Sequence, residues 1–193
     1  GYANRQFWPA AFQQNGRAIS WHDAMTQFRD TTGRPGPSTW VAGRYPEGQA
    51  DFPVSGVSWF EAAAYAAFAG KTLPVLGQWY QSAPPDLAEY AVPASNINHN
   101  AVAPVGTWNG VGPYGTYDMA GNVREWVANP VDGGLRFILG GSSKSPGYLY
   151  TDPDALSPFD RSDANGFRCV PELGPLPEHA TNPYHRVARD FPT

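Results

Sequence analysis

The sequence predicts an α+β domain with little regular secondary structure, in which two or three helices accompany a small twisted antiparallel sheet. Two helix starts share one capping signal, several apolar runs are too short to be anything but strands, and turn-forming residues punctuate the whole chain. Of 193 residues, 21 are Gly and 20 are Pro, while 14% are aromatic and only 16% charged. Such a chain must take its order from aromatic packing and buried loop hydrogen bonds more than from long periodic elements. Its length fits one domain whose core needs no disulfide.

The helices are the clearest elements. Ile19 to Ala24 reads ISWHDA and Val57 to Ala62 reads VSWFEA, so Ser20 and Ser58 each stand three residues before an acid, Asp23 and Glu61. In this capping-box spacing the serine oxygen accepts an orphan amide of the first turn and the acid reaches back to the cap. The first helix is expected to run to about Thr32, where Gly33 and Pro35 stop it, and the second through its alanine-rich stretch to Gly70. Trp59, Tyr65 and Phe68 are its expected packing surface. A third short helix is expected over 75–82 (VLGQWYQS).

Ala83 to Asn100 is rich in Pro and Asn and gives no periodic signal. Beyond it, Val102–Val105, Gly115–Met119, Val123–Val127, Arg136–Leu139 and Phe167–Val170 are the strand candidates.

Composition excludes several function classes. Net charge is −4 and the basic residues are scattered, which leaves no electrostatic footprint for nucleic acid. No apolar run approaches the roughly 20 residues of a membrane-spanning helix. The single cysteine cannot form an internal disulfide and is silent about compartment. His22, His99, His179 and His185 stand far apart, in no pairing that suggests zinc or non-haem iron.

Gly115 to Val127, GTYDMAGNVREWV, is the most informative stretch. With Leu139 to Ser142 (LGGS) and Asn165 to Cys169 (NGFRC) downstream, it resembles the GLYDMxGNVxEW, GGS and GFRC segments of the formylglycine-generating enzyme family, also called the sulfatase-modifying-factor family. The resemblance covers Phe52 to Val170 well and the segment before it loosely. It implies a variant of the C-type-lectin-like fold. It also implies a chemistry, oxidation of a cysteine by molecular oxygen, for which two cysteines three and eight residues after the GGS serine hold copper. Here those positions are Ser145 and Tyr150, and Cys169 belongs to the closing motif. Hydroxyl oxygens are poor ligands for copper(I), so no copper is expected. Ser142, Ser145 and Tyr150 are expected to line the former active site as a ligand pocket able to hydrogen-bond without redox chemistry.

The same resemblance implies a structural calcium held by Asp118, Gly121, Val123 and Glu125. Two carboxylates and two carbonyls about a Gly-Asn turn suit calcium, which takes six to eight oxygens at about 2.3–2.6 Å. The other reading of these residues is that the carboxylates bond the turn's own amides. The family's second calcium site is matched only at Asn96 and Ile97.

The functional expectation is therefore a catalytically inactive formylglycine-generating-enzyme-like module with a binding or structural role in a larger protein or complex. The alternative is a metal- and oxygen-dependent oxidoreductase of the same family with a relocated site. Residues 1–170 form the domain, which lacks the family's usual opening PGGxFxMGS and EVTNxxY segments, and 171–193, with five prolines, form an extended tail or linker. The combination of GRPGPSTW, RYPEGQADFPVSGVSW and YTDPDALSPFDRSDANGFRCV resembles the version of the domain that follows a serine/threonine kinase in bacterial multidomain proteins. Another chain or flanking domain is the expected partner, laid against Tyr2, Phe7, Trp8 and Phe12 and the proline-rich tail.

Overall fold

A computed structural model describes residues 1–172, 174–175 and 182–184. After one helical turn at Arg5–Phe7 comes a hairpin of β1 (Phe12–Gln14) and β2 (Arg17–Ile19), turned by Asn15 and Gly16 at φ 53° and 74°. Both residues are left-handed, as a tight two-residue hairpin turn requires, and Asn-Gly is the pair that tolerates it best.

Helix α1 (Trp21–Gln27) starts on Ser20 as the sequence predicts, but ends well short of Thr32. The side chain of Asp30 is the reason. Its Oδ1 accepts from the amides of Thr32 and Arg34 and from the Thr32 hydroxyl, and its Oδ2 accepts from the Gly43 amide. The backbone is thereby drawn into a loop before Gly33 can act as a stop. Helix α2 (Trp59–Phe68) carries the complete capping box: Ser58 Oγ accepts from the Glu61 amide at 3.1 Å and Glu61 Oε2 from the Ser58 amide at 2.8 Å. Gly70, at φ 64°, closes it. Its buried face is Trp59, Phe60, Glu61, Ala62, Ala64 and Ala66, whereas Tyr65 and Phe68, expected in the packing surface, are 55% and 62% exposed.

Helix α3 (Leu76–Ser82) forms where expected, and a single turn α4 (Ala88–Ala91) follows in the segment without periodic signal. The main sheet has four strands in the order β6 (Asp154–Leu156), β5 (Leu135–Leu139), β4 (Arg124–Val131), β7 (Asn165–Phe167). The expected antiparallel sheet is in fact mixed, because β4 and β7 run parallel. β4 bulges between Trp126 and Pro130, where proline has no amide for the ladder. A short pair of β3 (Lys71–Thr72) with β8 (Val170–Pro171) ties the end of α2 to the closing motif. The strands expected at Val102–Val105 and Gly115–Met119 do not form. Their backbone groups go elsewhere: Ala103 bonds the Asn122 side chain through both N–H and carbonyl, and the Tyr117 carbonyl accepts from Arg168.

Two apolar clusters hold these elements together. One stacks aromatic rings from distant segments, Trp8 on Phe28 at 5.3 Å and Phe28 on Phe159 at 5.8 Å, with Phe12 and Phe60 at 4.8 Å. The other joins Trp79, Ile97, Met119, Val127, Leu139 and Tyr150. The N-terminal aromatics expected against a partner lie largely in the first cluster: Trp8 and Phe12 are 8% and 4% exposed, and Tyr2 donates its hydroxyl to Glu61 at 2.8 Å. Rings of this size gain more from a core a few residues away than from waiting for a partner. In the tail, Tyr184 bridges to Val131, accepts from the Asp132 amide and sets its ring 5.4 Å from Phe137. Pro171 pairs in β8, and tail residues 173, 176–181 and 185–193 lie outside the described residues.

One ion pair connects most of this. Arg161 donates to both oxygens of Glu61 at 2.8 and 2.9 Å, to the carbonyls of Gln27 and Arg29 at the end of α1, and to the Gly36 carbonyl. Both side chains are nearly enclosed, at 13% and 3% exposed. Arg161→Met should therefore leave a buried carboxylate unpaired and cost about 3–5 kcal/mol in denaturant unfolding, more than the paired change Arg161→Met with Glu61→Gln.

The Asp30 loop makes a separate prediction. Burial works to raise the Asp30 pKa, but the amide of Gly43, the Thr32 hydroxyl and the amides of Thr32 and Arg34 outweigh it and hold the carboxyl down at about 2. A lowered folded-state pKa contributes stability that is complete above the unfolded value near 4 and is lost as pH falls through about 2. Asp30→Asn should flatten the acid limb of the stability curve between about pH 4 and 2, read from melting temperatures.

Candidate functional site

The GTYDMAGNVREWV stretch folds into a turn that delivers β4 to the centre of the sheet. Asp118, Gly121 and Asn122 all have left-handed backbones, at φ 56°, 79° and 58°. Gly121 is required twice over, since a Cβ there would run into the Asn96 carbonyl. Asn122 is the hub: its amide donates to the Asn96 carbonyl, its carbonyl accepts from Ser143, and its side chain bonds Asn96 and both backbone groups of Ala103. The LGGS segment closes on the same turn, with the Gly121 amide donating to the Gly140 carbonyl at 2.7 Å. Beyond the turn two tryptophans exchange bonds, Trp126 Nε1 to the Val57 carbonyl and Trp59 Nε1 to the Val127 carbonyl, each at 2.9 Å. The VSW and REWV motifs are thereby locked to each other.

Glu125, 4% exposed, is held by Arg168, whose Nε donates to Oε2 and Nη2 to Oε1, both at 2.6 Å, and by Trp79 Nε1 at 2.8 Å. Burial disfavours the Arg168 cation, but the charge and hydrogen bonds of Glu125, with Asp118 nearby, outweigh that and raise its pKa. Asp118 Oδ2 accepts from the Gly106 amide at 2.7 Å, while Oδ1 is buried without a partner. Both carboxylates line one cavity of about 430 Å³ with Asn122, Val123 and Arg168. For a hard cation Asp118 offers one orphaned carboxylate oxygen, while both Glu125 oxygens already accept from Arg168. Among the described residues no three or more His, Cys, Asp or Glu side chains come together as a metal site. Asn96 donates to the Ala101 carbonyl and the Asn122 side chain.

Of the three residues expected in the former active site, Ser145 lines one of the described cavities, Ser142 sits in the adjoining turn, and Tyr150 is buried. Ser142 and Ser145 pair within their own turn: their hydroxyls lie 3.1 Å apart, the Ser142 amide donates to Ser145 Oγ, and the Lys144 amide donates to Ser142 Oγ. Ser145 lines a small cavity of about 210 Å³ between Arg124, Leu149 and Asp152. Tyr150 is 2% exposed in the second apolar cluster, 6.1 Å from Trp79, and burial, with a lesser push from Asp86, raises its pKa to about 12. Cys169 is half-buried, and burial raises its thiol pKa, so it is not a ready nucleophile. His22 is exposed and the His99 ring lies 4.4 Å from Trp108; His179 and His185 lie outside the described residues.

Sequence reasoning missed the two arginines. Arg161 and Arg168 stand within one short stretch, DRSDANGFRC, and each neutralises a buried glutamate from another motif. Two buried acids in a chain this poor in charge were a signal that two cations had to meet them.

Comparison with known proteins agrees with this architecture. Residues 4–173 match the family model described as "Sulfatase-modifying factor enzyme 1-like domain". The inactive C-alpha-formylglycine-generating enzyme 2 of Bos taurus is 30% identical over 158 residues, which cover 66% of this chain and 52% of that one. The serine/threonine-protein kinase pkn1 of Chlamydia caviae is 36% identical over 87 residues, covering 41% of this chain and 14% of the kinase. The chain thus spans about half or less of these relatives. Among solved structures, CarF superposes with a TM-score of 0.54 at 19% identity, covering 77% of this chain and 78% of CarF, which speaks for the fold alone. The chain belongs to the sulfatase-modifying factor enzyme 1-like family, the formylglycine-generating enzyme family that its motifs resemble.

Proposed function

We propose that this chain is a catalytically inactive formylglycine-generating-enzyme-like module that binds a ligand or partner within a larger protein. The observation that carries this reading is the fate of the two cysteine positions. Ser145 has its hydroxyl committed to the Ser142 turn and Tyr150 has its ring in the core, so neither offers a soft metal ligand or an accessible nucleophile. Similarity to a protein named as an inactive member of the family supports it. Similarity to part of a serine/threonine kinase supports a place beside other domains, with a flanking domain or chain as partner.

A structural calcium fits the same reading. Asp118 through Oδ1, the Gly121 and Val123 carbonyls, and Glu125 through Oε1 would hold it, and its charge would balance the buried Asp118 carboxylate. It would stiffen the turn and take no part in turnover.

Incubated with copper and a peptide carrying the sulfatase-type CxPxR sequence, the chain should yield no aldehyde by mass spectrometry. Product above a protein-free control, with copper bound in equal amount to protein, would instead favour an oxidoreductase with relocated ligands. For calcium, ~100 times Kd of the ion should add roughly 2.7 kcal/mol to the native state. The melting temperature should rise with calcium and not with magnesium, and Asp118→Ala should abolish the rise. Identical curves in chelator and in millimolar calcium would leave the turn's own hydrogen bonds as the role of these carboxylates.

A further inference from the structure

We propose that the cleft between the N-terminal segment and α2 is a binding site for an uncharged aromatic small molecule. This rests on the reading of the chain as a binding module, but on none of the residues of the former active site. The cleft holds about 530 Å³, within the range of small-molecule sites. Its floor exists because α2 carries alanine where a larger side chain would fill the space. The face that α2 turns toward it is Glu61, Ala64, Tyr65 and Phe68, spaced i, i+3, i+4 and i+7 as an amphipathic seam requires. Tyr2, Phe7 and Trp8 form the opposite wall. Along the rim the rings touch in series, Phe7 to Phe68 at 5.4 Å, Phe68 to Tyr65 at 6.4 Å and Tyr65 to Phe167 at 5.5 Å.

The charge balance selects the ligand. Glu61 lines the cleft, but each of its oxygens already accepts two bonds: Oε1 from Tyr2 and Arg161, Oε2 from the Ser58 amide and Arg161. Arg168 lines it too, and is paired with Glu125. An ionic ligand would be desolvated with no free side-chain counter-charge among the lining residues to meet it. A neutral aromatic ring, by contrast, meets ring faces and edges throughout. Two polar handles remain: the Tyr2 hydroxyl oxygen, which can accept one more bond, and the Cys169 thiol, a weak donor whose raised pKa keeps it protonated. The adjoining cavity of about 650 Å³ is of another kind, lined by the exposed Lys144–Asp163 ion pair and by Asn100 and Asn122, and does not suit such a ligand.

The test uses N-phenyl-1-naphthylamine, a neutral aromatic probe, titrated against the whole chain by fluorescence. Saturable one-to-one binding is expected, together with slower reaction of Cys169, the only thiol, with N-ethylmaleimide when the probe is bound. Ala64→Phe fills the floor and should weaken binding at least about tenfold. Phe68→Ala, at an exposed position that leaves the fold intact, should weaken it roughly 3- to 10-fold through the lost ring contact. Non-saturating fluorescence, unchanged binding in a folded Phe68→Ala variant, or unaltered Cys169 reactivity at saturation would each overturn the proposal. Formylglycine formation would overturn the inactive reading without moving the probe from Cys169, so the two ideas fail separately.

Discussion

The buried contact between Glu61 and Arg161 is the constraint on which the rest of the molecule depends. A carboxylate at the first turn of a helix is ordinarily an exposed capping device. Here the same glutamate caps α2, accepts the Tyr2 hydroxyl and takes a two-pronged bond from an arginine one hundred residues away. The guanidinium uses its remaining donors on carbonyls at the end of α1 and in the loop after it. Four chain segments are thus fixed relative to one another by one residue, whose planar fork and permanent charge lysine could not reproduce. The aromatic cluster of Trp8, Phe12, Phe28, Phe60 and Phe159 adjoins this contact, with the Arg161 guanidinium 5.9 Å from the Phe28 ring.

A second contact of the same kind sits at the sheet. Glu125, Arg168 and Trp79 join β4, the segment after β7 and α3. The two contacts share a design: a motif glutamate, nearly enclosed, met by an arginine from the DRSDANGFRC stretch. Breaking either pair would strand a charge in the interior, which is why such pairs specify an arrangement even where they add little net stability. In a fold with short strands and long loops, that specificity does what extended ladders do elsewhere.

This division separates the residues that hold the scaffold from the two positions at which the family's enzymes carry thiols. The residues that hold the turn, Gly121, Asn122, Gly140 and the paired Trp59 and Trp126, bond to one another and to backbone, and ask nothing of the two positions where the family's enzymes carry thiols. Ser145 pairs with its neighbour Ser142, and Tyr150 lies buried in the second apolar cluster. The apolar cleft on the other side of α2 is independent of both, being built from the N-terminal aromatics and an alanine in the helix.

By itself the sequence determined the family and the α+β class, and it located the starts of α1 and α2, where a serine three residues before an acid heads an apolar run and acts as a local cap. It also determined that no paired thiols exist to do redox chemistry. The hairpin at Asn15-Gly16 was missed, although that dipeptide favours a tight hairpin turn. What only the tertiary structure decided were the matters set by partners distant in the chain. The early end of α1 follows from Asp30 reaching Gly43, and the exposure of Tyr65 and Phe68 from which face of α2 meets Arg161. The parallel run of β7 beside β4, the burial of Trp8 and Phe12, and the burial of Tyr150 in the second apolar cluster are likewise invisible to periodicity. A residue's type limits what it can bond, but only the closed chain selects which of those bonds is made.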